Sequence, residues 1–130
     1  MKSVTTLIVL VVLLLSANNG LQAQSVNYKN INGNSIESLK EGIQSDNPGL
    51  RKSAIYMAGF YKIDEVVETL TNQLEHEKNP STRVLIALSL YNIGNHDGME
   101  AVKELAANDM DKTVKRMSTV LYRQFADINK

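Results

Sequence analysis

A segment of this chain recurs at a fixed spacing. The run at residues 79–94, NPSTRVLIALSLYNIG, follows NPGLRKSAIYMAGFYK at residues 47–62, and a weaker third copy begins at Asp111. The step from Asn47 to Asn79 equals the step from Asn79 to Asp111, and we call this step the repeat period. Asn-Pro is a typical helix start, because the Asn side chain accepts hydrogen bonds from free backbone N–H groups and proline has no N–H to leave unpaired. The recurrence therefore predicts that one kind of helix occurs three times.

A second helical pattern lies between the copies. Its apolar residues also recur one repeat period apart, as Val67, Leu70 and Leu74 followed by Met99, Val102 and Ala106. One unit is therefore a helix, a tight turn, a second helix and another turn. A unit of this size cannot bury its apolar faces alone, so neighbouring units must stack. We expect an all-α fold, a short α-solenoid of stacked antiparallel helix pairs with about six helices.

The breaks between these patterns give the expected boundaries. We expect the repeat domain to occupy residues 35–130, with repeats at about 47–78 and 79–110 and flanking helices at 35–44 and 111–128. The first helix of the central repeat is apolar almost all the way round, which predicts burial on several sides. The last helix has the polar outer face that the end of a stack needs, formed by Lys112, Lys115, Arg116, Arg123 and Gln124.

Cap residues are predicted at the remaining helix ends. Asp64 is expected to cap the third helix, and Asp97, with Glu100 at capping-box spacing, is expected to cap the fifth. Gly94 follows the last apolar residue of the fourth helix, where a left-handed residue commonly ends a helix.

The N-terminal segment has the pattern of a processing signal. Residues 1–23 contain Lys2, an unbroken apolar run and then Ala23 before Gln24, as in a secretory signal peptide. The apolar run is shorter than the ~20 residues that a membrane span requires. We expect cleavage near Ala23-Gln24, export to the periplasm or beyond, and a flexible leader at residues 24–34. An uncleaved N-terminal anchor is the alternative.

Composition and motifs exclude several classes of function. The chain has no cysteine, which excludes disulfides, thiol catalysis and cysteine-bound metals. Fourteen Lys and Arg balance fourteen Asp and Glu, so charge gives no case for nucleic acid or an anionic membrane as partner. His76 and His96 are isolated, so no metal site is expected. No catalytic or phosphate-binding motif occurs, so we predict neither catalytic residues nor a cofactor.

The repeated unit resembles a HEAT repeat, in particular the short HEAT-like repeats named from phycobilisome lyases. The matching positions in the central unit are Asn79, Thr82, Arg83, Ser89, Leu90, Ile93, Gly94 and the helix from Met99 to Leu105. The first unit matches through Asn47, Leu50, Arg51, Ala54, Met57 and Gly59, but has Tyr61-Lys62 where Ile-Gly is usual. The resemblance implies stacked helix pairs and is a poor guide to function. Tetratricopeptide repeats are the competing interpretation, but the aromatic and glycine positions of their first helix are missing.

One basic residue recurs in the first turn of each copy. Arg51, Arg83 and Lys115 form this basic ladder. HEAT-like proteins commonly use this residue to join the stack, so we expect each side chain to reach an acid or backbone carbonyl of the adjacent repeat. A row of cations for an anionic ligand is the functional alternative.

The second helices carry the predicted partner-binding residues. In a helical array these helices usually line the concave surface, where partners bind. The candidates there are Glu68, Asn72, Glu100 and Glu104, with Tyr91 and Tyr122 near the rim. An ordinary solvated helix face is the competing interpretation.

These observations favour an exported, non-enzymatic scaffold that binds a protein partner through its repeat surface. One alternative is a repeat domain that binds a small acidic ligand or assists an enzyme, as the resemblance to the lyases would imply. Another is an envelope module that self-associates through its first or last helix. An apolar cleft with converging polar groups would favour the small ligand, whereas a broad polar face would favour the protein partner.

Overall fold

Six α-helices follow one another in the computed structural model, which describes residues 33–130. They are α1 (Gly33–Ile43), α2 (Pro48–Phe60), α3 (Val67–His76), α4 (Pro80–Ile93), α5 (His96–Asn108) and α6 (Lys112–Ile128), and a short 3-10 helix (Asp64–Val66) precedes α3. Within these residues there is no strand, and no helix combines the length and hydropathy of a membrane span. The all-α prediction is confirmed.

The predicted signal peptide at residues 1–23 lies outside the described residues, as does most of the leader predicted at 24–34. The last two leader residues, Gly33 and Asn34, belong to α1.

The helices form two layers. α2, α4 and α6 lie side by side in a first-helix layer, and α1, α3 and α5 form a second-helix layer against it. α4 contacts α2 and α6 within its own layer and α3 and α5 in the other. This arrangement is the predicted short helical solenoid, and it explains why the sequence of α4 is apolar on nearly every side.

Capping side chains start the first-layer helices as predicted. Asn47, Asn79 and Asp111 each accept hydrogen bonds from the second and third backbone N–H groups of their helix. The cap residues predicted for α3 and α5, in the second-helix layer, are wrong. Asn95 caps α5 two residues before Asp97, and Asp64 begins the 3-10 helix rather than α3.

The core lies between the two layers. Its large, fully buried side chains come from all six helices and the 3-10 helix: Ile43, Ile55, Val66, Leu70, Ile86, Leu90, Met99, Val102 and Val114. α2 and α4 approach closely at Gly59, where an added Cβ would lie 2.6 Å from the Ser89 Cα. The Ser89 hydroxyl also donates to the Ile55 carbonyl oxygen at 2.8 Å, which joins the two helices inside the core.

The turns after α2 and α4 both have a residue with positive φ at the same position of the repeat, despite their different sequences. Gly94 has φ 76° and Lys62, one repeat period earlier, has φ 53°. The turn of the first repeat therefore keeps the left-handed residue although glycine is missing there. Left-handed backbone costs a residue with a Cβ roughly 1–2 kcal/mol, so Lys62 is locally strained.

Candidate functional site

A depression on the second-helix layer runs between α3 and α5. It consists of two adjoining open hollows of about 380 and 550 Å³, which share Thr71 and Ala101. We call this surface the second-helix groove. Both hollows are open to solvent along the layer, so the groove has the shape of a surface channel rather than of an enclosed pocket.

The groove combines an apolar floor with an acidic rim. Val67, Leu74 and Leu105 contribute apolar surface to its floor. Six exposed carboxylates form this rim: Asp64, Glu65, Glu68 and Asp97 at one end, and Glu75 and Glu104 at the other. A seventh, Asp109, also lines the groove but is paired with Arg83. The residues that line it include no Lys or Arg, so these charges give the groove a negative potential.

The repeat period and one side-chain hydrogen bond between units determine where the acidic end of the groove lies. Glu65 and Asp97 occupy equivalent positions in the two repeats, so stacking brings both to the same end. The Asn95 side chain caps α5 and also donates to Asp64 Oδ1 at 2.7 Å. This bond fixes the start of α5 against the 3-10 helix of the preceding unit. Within residues 33–130, no group of three or more acidic or histidine side chains converges closely enough to hold a metal ion.

Two of the six predicted partner-binding residues line the groove. Glu68 and Glu104 stand on its rim at opposite ends. Asn72 is exposed on α3 but does not line the groove, and its carbonyl oxygen lies 2.9 Å from His76 Nδ1. The predicted residues of α3 and α5 and the groove therefore share these helices but overlap only at Glu68 and Glu104.

The remaining three candidates lie elsewhere. Lys103 bonds to Glu100 at 2.9 Å and lies 5.6 Å from the ring centre of Tyr122, so these residues form a contact between α5 and α6. The hydrogen bond with Glu100 raises the pKa of Lys103. Tyr91 lines a separate hollow between the C-terminal ends of α4 and α6, together with Phe125.

Four rim carboxylates were not predicted from the sequence. They are Asp64, Glu65, Glu75 and Asp97. Glu75 follows Thr71 and Glu68 at the helical spacing of one face, and Glu65 maps onto Asp97 through the repeat period. Both signals are present in the sequence. Asp64 and Asp97 were assigned to helix caps instead, which removed them from the candidate surface.

The basic ladder makes a second cluster of polar contacts, at the ends of the repeats. Arg51 Nε donates to Glu77 at 2.9 Å, and Arg83 donates to both oxygens of Asp109 at 2.8 and 3.0 Å. Each acid belongs to the same repeat as its arginine, at the end of the second helix. Lys115 forms no ion pair with any residue between 33 and 130.

The arginines also reach the segment before their own repeat. Arg51 Nη1 donates to the Ser45 carbonyl oxygen at 2.6 Å, and Arg83 Nη1 donates to the Glu77 and Lys78 carbonyl oxygens, both at 3.1 Å. The expected link to an adjacent unit is therefore made to backbone carbonyls, while the acid is the repeat's own. The sequence did not indicate Glu77 and Asp109, although they too are one repeat period apart.

The side chains of Glu77 and Asp109 are buried, and each accepts hydrogen bonds from an arginine and from a backbone N–H group. Glu77 accepts from the backbone N–H of Asn79 at 2.9 Å, and Asp109 accepts from that of Asp111 at 2.8 Å. Burial raises the pKa of Glu77, but the hydrogen bonds from Asn79 and Arg51 outweigh it and leave the pKa below its ordinary value. Burial likewise raises the pKa of Asp109, and the bonds from Arg83 and Asp111 reverse this. Both side chains are therefore held as carboxylates.

Comparison with known proteins agrees with this geometry. A family model described as HEAT repeats matches residues 36–121, from α1 into α6. No curated protein and no solved structure matches the chain.

Proposed function

Because the chain belongs to the family of HEAT repeats, we propose that it is a non-catalytic scaffold that binds a protein partner through the second-helix groove. HEAT repeats commonly mediate protein–protein interaction, since stacked helices hold side chains at regular spacing along an extended surface. The observation that carries the proposal is the groove itself, an open channel between α3 and α5 with an apolar floor and a carboxylate rim.

The groove's chemistry also indicates the kind of partner. Leu74 and Leu105 offer apolar surface that an aliphatic or aromatic side chain can cover. The carboxylates on both sides favour lysine or arginine on the partner, which speeds association and selects against acidic sequences. We therefore propose a polypeptide segment with cationic residues around an apolar anchor. The open shape suits such a segment better than a small ligand, which binds in sites that bury most of its surface.

Export is part of this proposal and is supported only by the sequence of residues 1–23. The partner would then be a protein of the cell envelope or the surrounding medium. N-terminal sequencing of the protein purified from its host is expected to give a chain that begins at Gln24. A chain that still begins at Met1 would overturn this part of the proposal.

A photo-crosslinking experiment with charge variants tests the groove. A photoreactive residue at position 68, on the groove rim, is expected to capture a partner that the same residue at position 124, exposed on α6, does not capture. The captured protein is then measured against the purified chain at two salt concentrations. Because the rim attracts cations, we expect higher salt to weaken binding.

Paired charge variants complete the test. The double variant Glu68→Gln, Glu104→Gln removes two rim charges, and we expect it to weaken binding by about tenfold. The matched control is Glu37→Gln, Glu41→Gln, which removes two exposed charges from α1 outside the groove and is expected to leave binding unchanged. Equal weakening by the two double variants would show that net charge, and not the groove, determines binding.

A further inference from the structure

One edge of the first-helix layer exposes an unusual amount of apolar surface. Leu50, Met57 and Phe60 of α2 are 55%, 46% and 57% exposed, and Ser53 lies among them on the same helical face. Their spacing of three, four and three residues is the spacing at which a helix presents one seam to a partner helix. We call these four residues the α2 edge.

The other two repeats show what covers two of these positions, those of Leu50 and Met57. The positions equivalent to Phe60 stay exposed there, as Asn92 and Gln124. Thr82 and Ser89, equivalent to Leu50 and Met57, are 0% and 2% exposed on α4. Val114 and Leu121 hold the same positions on α6 and are 0% and 6% exposed. In each case the cover includes the preceding first-layer helix, as the contact between Ser89 and Gly59 shows for α4. Among residues 33–130, no first-layer helix precedes α2.

The opposite end of the layer has a different character. Arg123 of α6 lies two repeat periods after Gly59, the residue through which α2 meets the next helix of the layer, so it marks the flank of α6 away from α4. Arg116 lies on the same helical face, and both arginines are exposed. Stacking that end of one copy onto the α2 edge of the next would bury two cations against apolar surface, at a large desolvation cost. Copies of this chain are therefore unsuited to stack head to tail into a filament.

The α2 edge is instead complementary to itself. It contains no charged residue. When two α2 edges pack together, no like charges face each other and no charged group is left unpaired in the interface. We propose that two copies of this chain pair along their α2 edges, antiparallel across a twofold axis. The first-helix layer then continues from one copy into the other, and each α2 gains the lateral neighbour that α4 and α6 already have.

This dimer is independent of the proposed partner site. The second-helix groove lies between α3 and α5 in the other layer and is not occupied by the pairing. Failure of the dimer therefore leaves the scaffold function intact, and failure of groove binding leaves the dimer intact. The sequence had suggested self-association through the first or last helix, whereas the exposed surface assigns it to the second.

Sedimentation equilibrium of the full chain, purified from cells that express its complete coding sequence, tests the proposal. We expect a mass that rises from one copy to two with concentration and no further. The variant Met57→Lys is expected to raise the dimer dissociation constant by about a hundredfold or more, because it places two unpaired ammonium groups in the interface. A chain that stays monomeric at every concentration, as it would if residues 1–32 covered the edge, overturns the proposal, and so does a chain that copurifies in a stable complex with another protein instead of pairing with itself.

A matched control and a rescue make the result specific. Val120 on α6 is 47% exposed, nearly the same as Met57, but lies away from the α2 edge. Val120→Lys is expected to keep the dimer, and both variants are expected to keep their helical circular dichroism. A mixture of Met57→Lys and Met57→Glu is expected to dimerise more tightly than either variant alone, because residue 57 lies near the twofold axis. Equal loss of the dimer in Val120→Lys, or no gain in the mixture, contradicts the proposed interface.

Discussion

At the scale of the residue, one position organises each junction between units. Ser45, Glu77 and Asp109 are spaced by the repeat period, and each side chain accepts from the backbone N–H of the cap residue two positions later. In the second and third cases the side chain also binds an arginine 26 residues earlier. The first helices of the two full repeats, α2 and α4, are therefore each held by a cap and by the acid that ends the repeat.

Replacing Thr82 is expected to stabilise the fold. Its hydroxyl is buried, and no hydrogen-bond partner for it exists in the described part of the chain. Thr82→Val keeps the shape and removes the unpaired group, and the third repeat already has valine at the equivalent position 114. We expect the free energy of unfolding to rise by about 1 kcal/mol, measured by urea denaturation. Ser81→Val is the control, since Ser81 is exposed in the same turn and its hydroxyl already has a partner; a gain there and none at Thr82 would contradict the explanation.

At the scale of the element, local chemistry predicted where most helices begin. The proline that follows Asn47 and Asn79 marks each as the cap, and the repeat period assigns the same role to Asp111, so the sequence was sufficient. Before α5, Asn95 and Asp97 both have cap chemistry, and sequence alone favoured the later one. The structure uses the earlier one because Asn95 can also bind Asp64, a contact between units that is absent from any local pattern.

The turn after α2 gives an element-scale prediction. Lys62 holds the left-handed conformation that Gly94 holds in the next unit, although its Cβ disfavours it. We expect Lys62→Gly to stabilise the chain by about 1 kcal/mol, less than the full strain because glycine also loses more chain entropy on folding. The measurement is the free energy of unfolding in urea, with Lys62→Ala as the control that removes the same charge and keeps the Cβ. Equal effects of the two substitutions would show that charge, rather than backbone strain, is responsible.

At the scale of the whole molecule, the fold was predictable and the candidate surface only in part. The repeat period determined the layers, because stacking is the only way for such units to bury their apolar faces. Glu68 and Glu104 followed from helix assignment. The positions of Tyr91 and Tyr122 did not follow from the sequence. The flank of a helix that meets its neighbour depends on the packing angle, and the repeat period carries no information about that angle.

Sensitivity to acid is a property of the whole stack. Glu77 and Asp109 have lowered pKa values in the folded chain, so the unfolded chain binds protons at a higher pH than the folded one. Their stabilisation is complete above the ordinary pKa of about 4 and is lost as pH falls through the folded values. We expect the free energy of unfolding in urea to decrease steeply below about pH 4.

Neutralising one of these acids separates its share of the pH effect. Glu77→Gln is expected to lower the free energy of unfolding at pH 7 by about 1.5–3 kcal/mol, because a charged hydrogen bond to Arg51 is lost, and to flatten the pH dependence. The control Glu41→Gln makes the same chemical change at an exposed glutamate of α1. It is expected to alter neither the free energy of unfolding at pH 7 nor its pH dependence. An unchanged pH profile in Glu77→Gln would contradict the assignment.

The junctions at Glu77 and Asp109 also bear on how such a chain evolves. Each carboxylate ends one unit and anchors the start of the next, so a tandem duplication of residues 78–109 would carry both halves of a complete junction. The duplicated arginine would find its own acid, and the duplicated cap would find the acid before it. Insertions of one full repeat period thus lengthen the array without new contacts having to arise, whereas other lengths separate each arginine from its carboxylate. A single duplication can therefore change the number of units in the array while every junction stays complete.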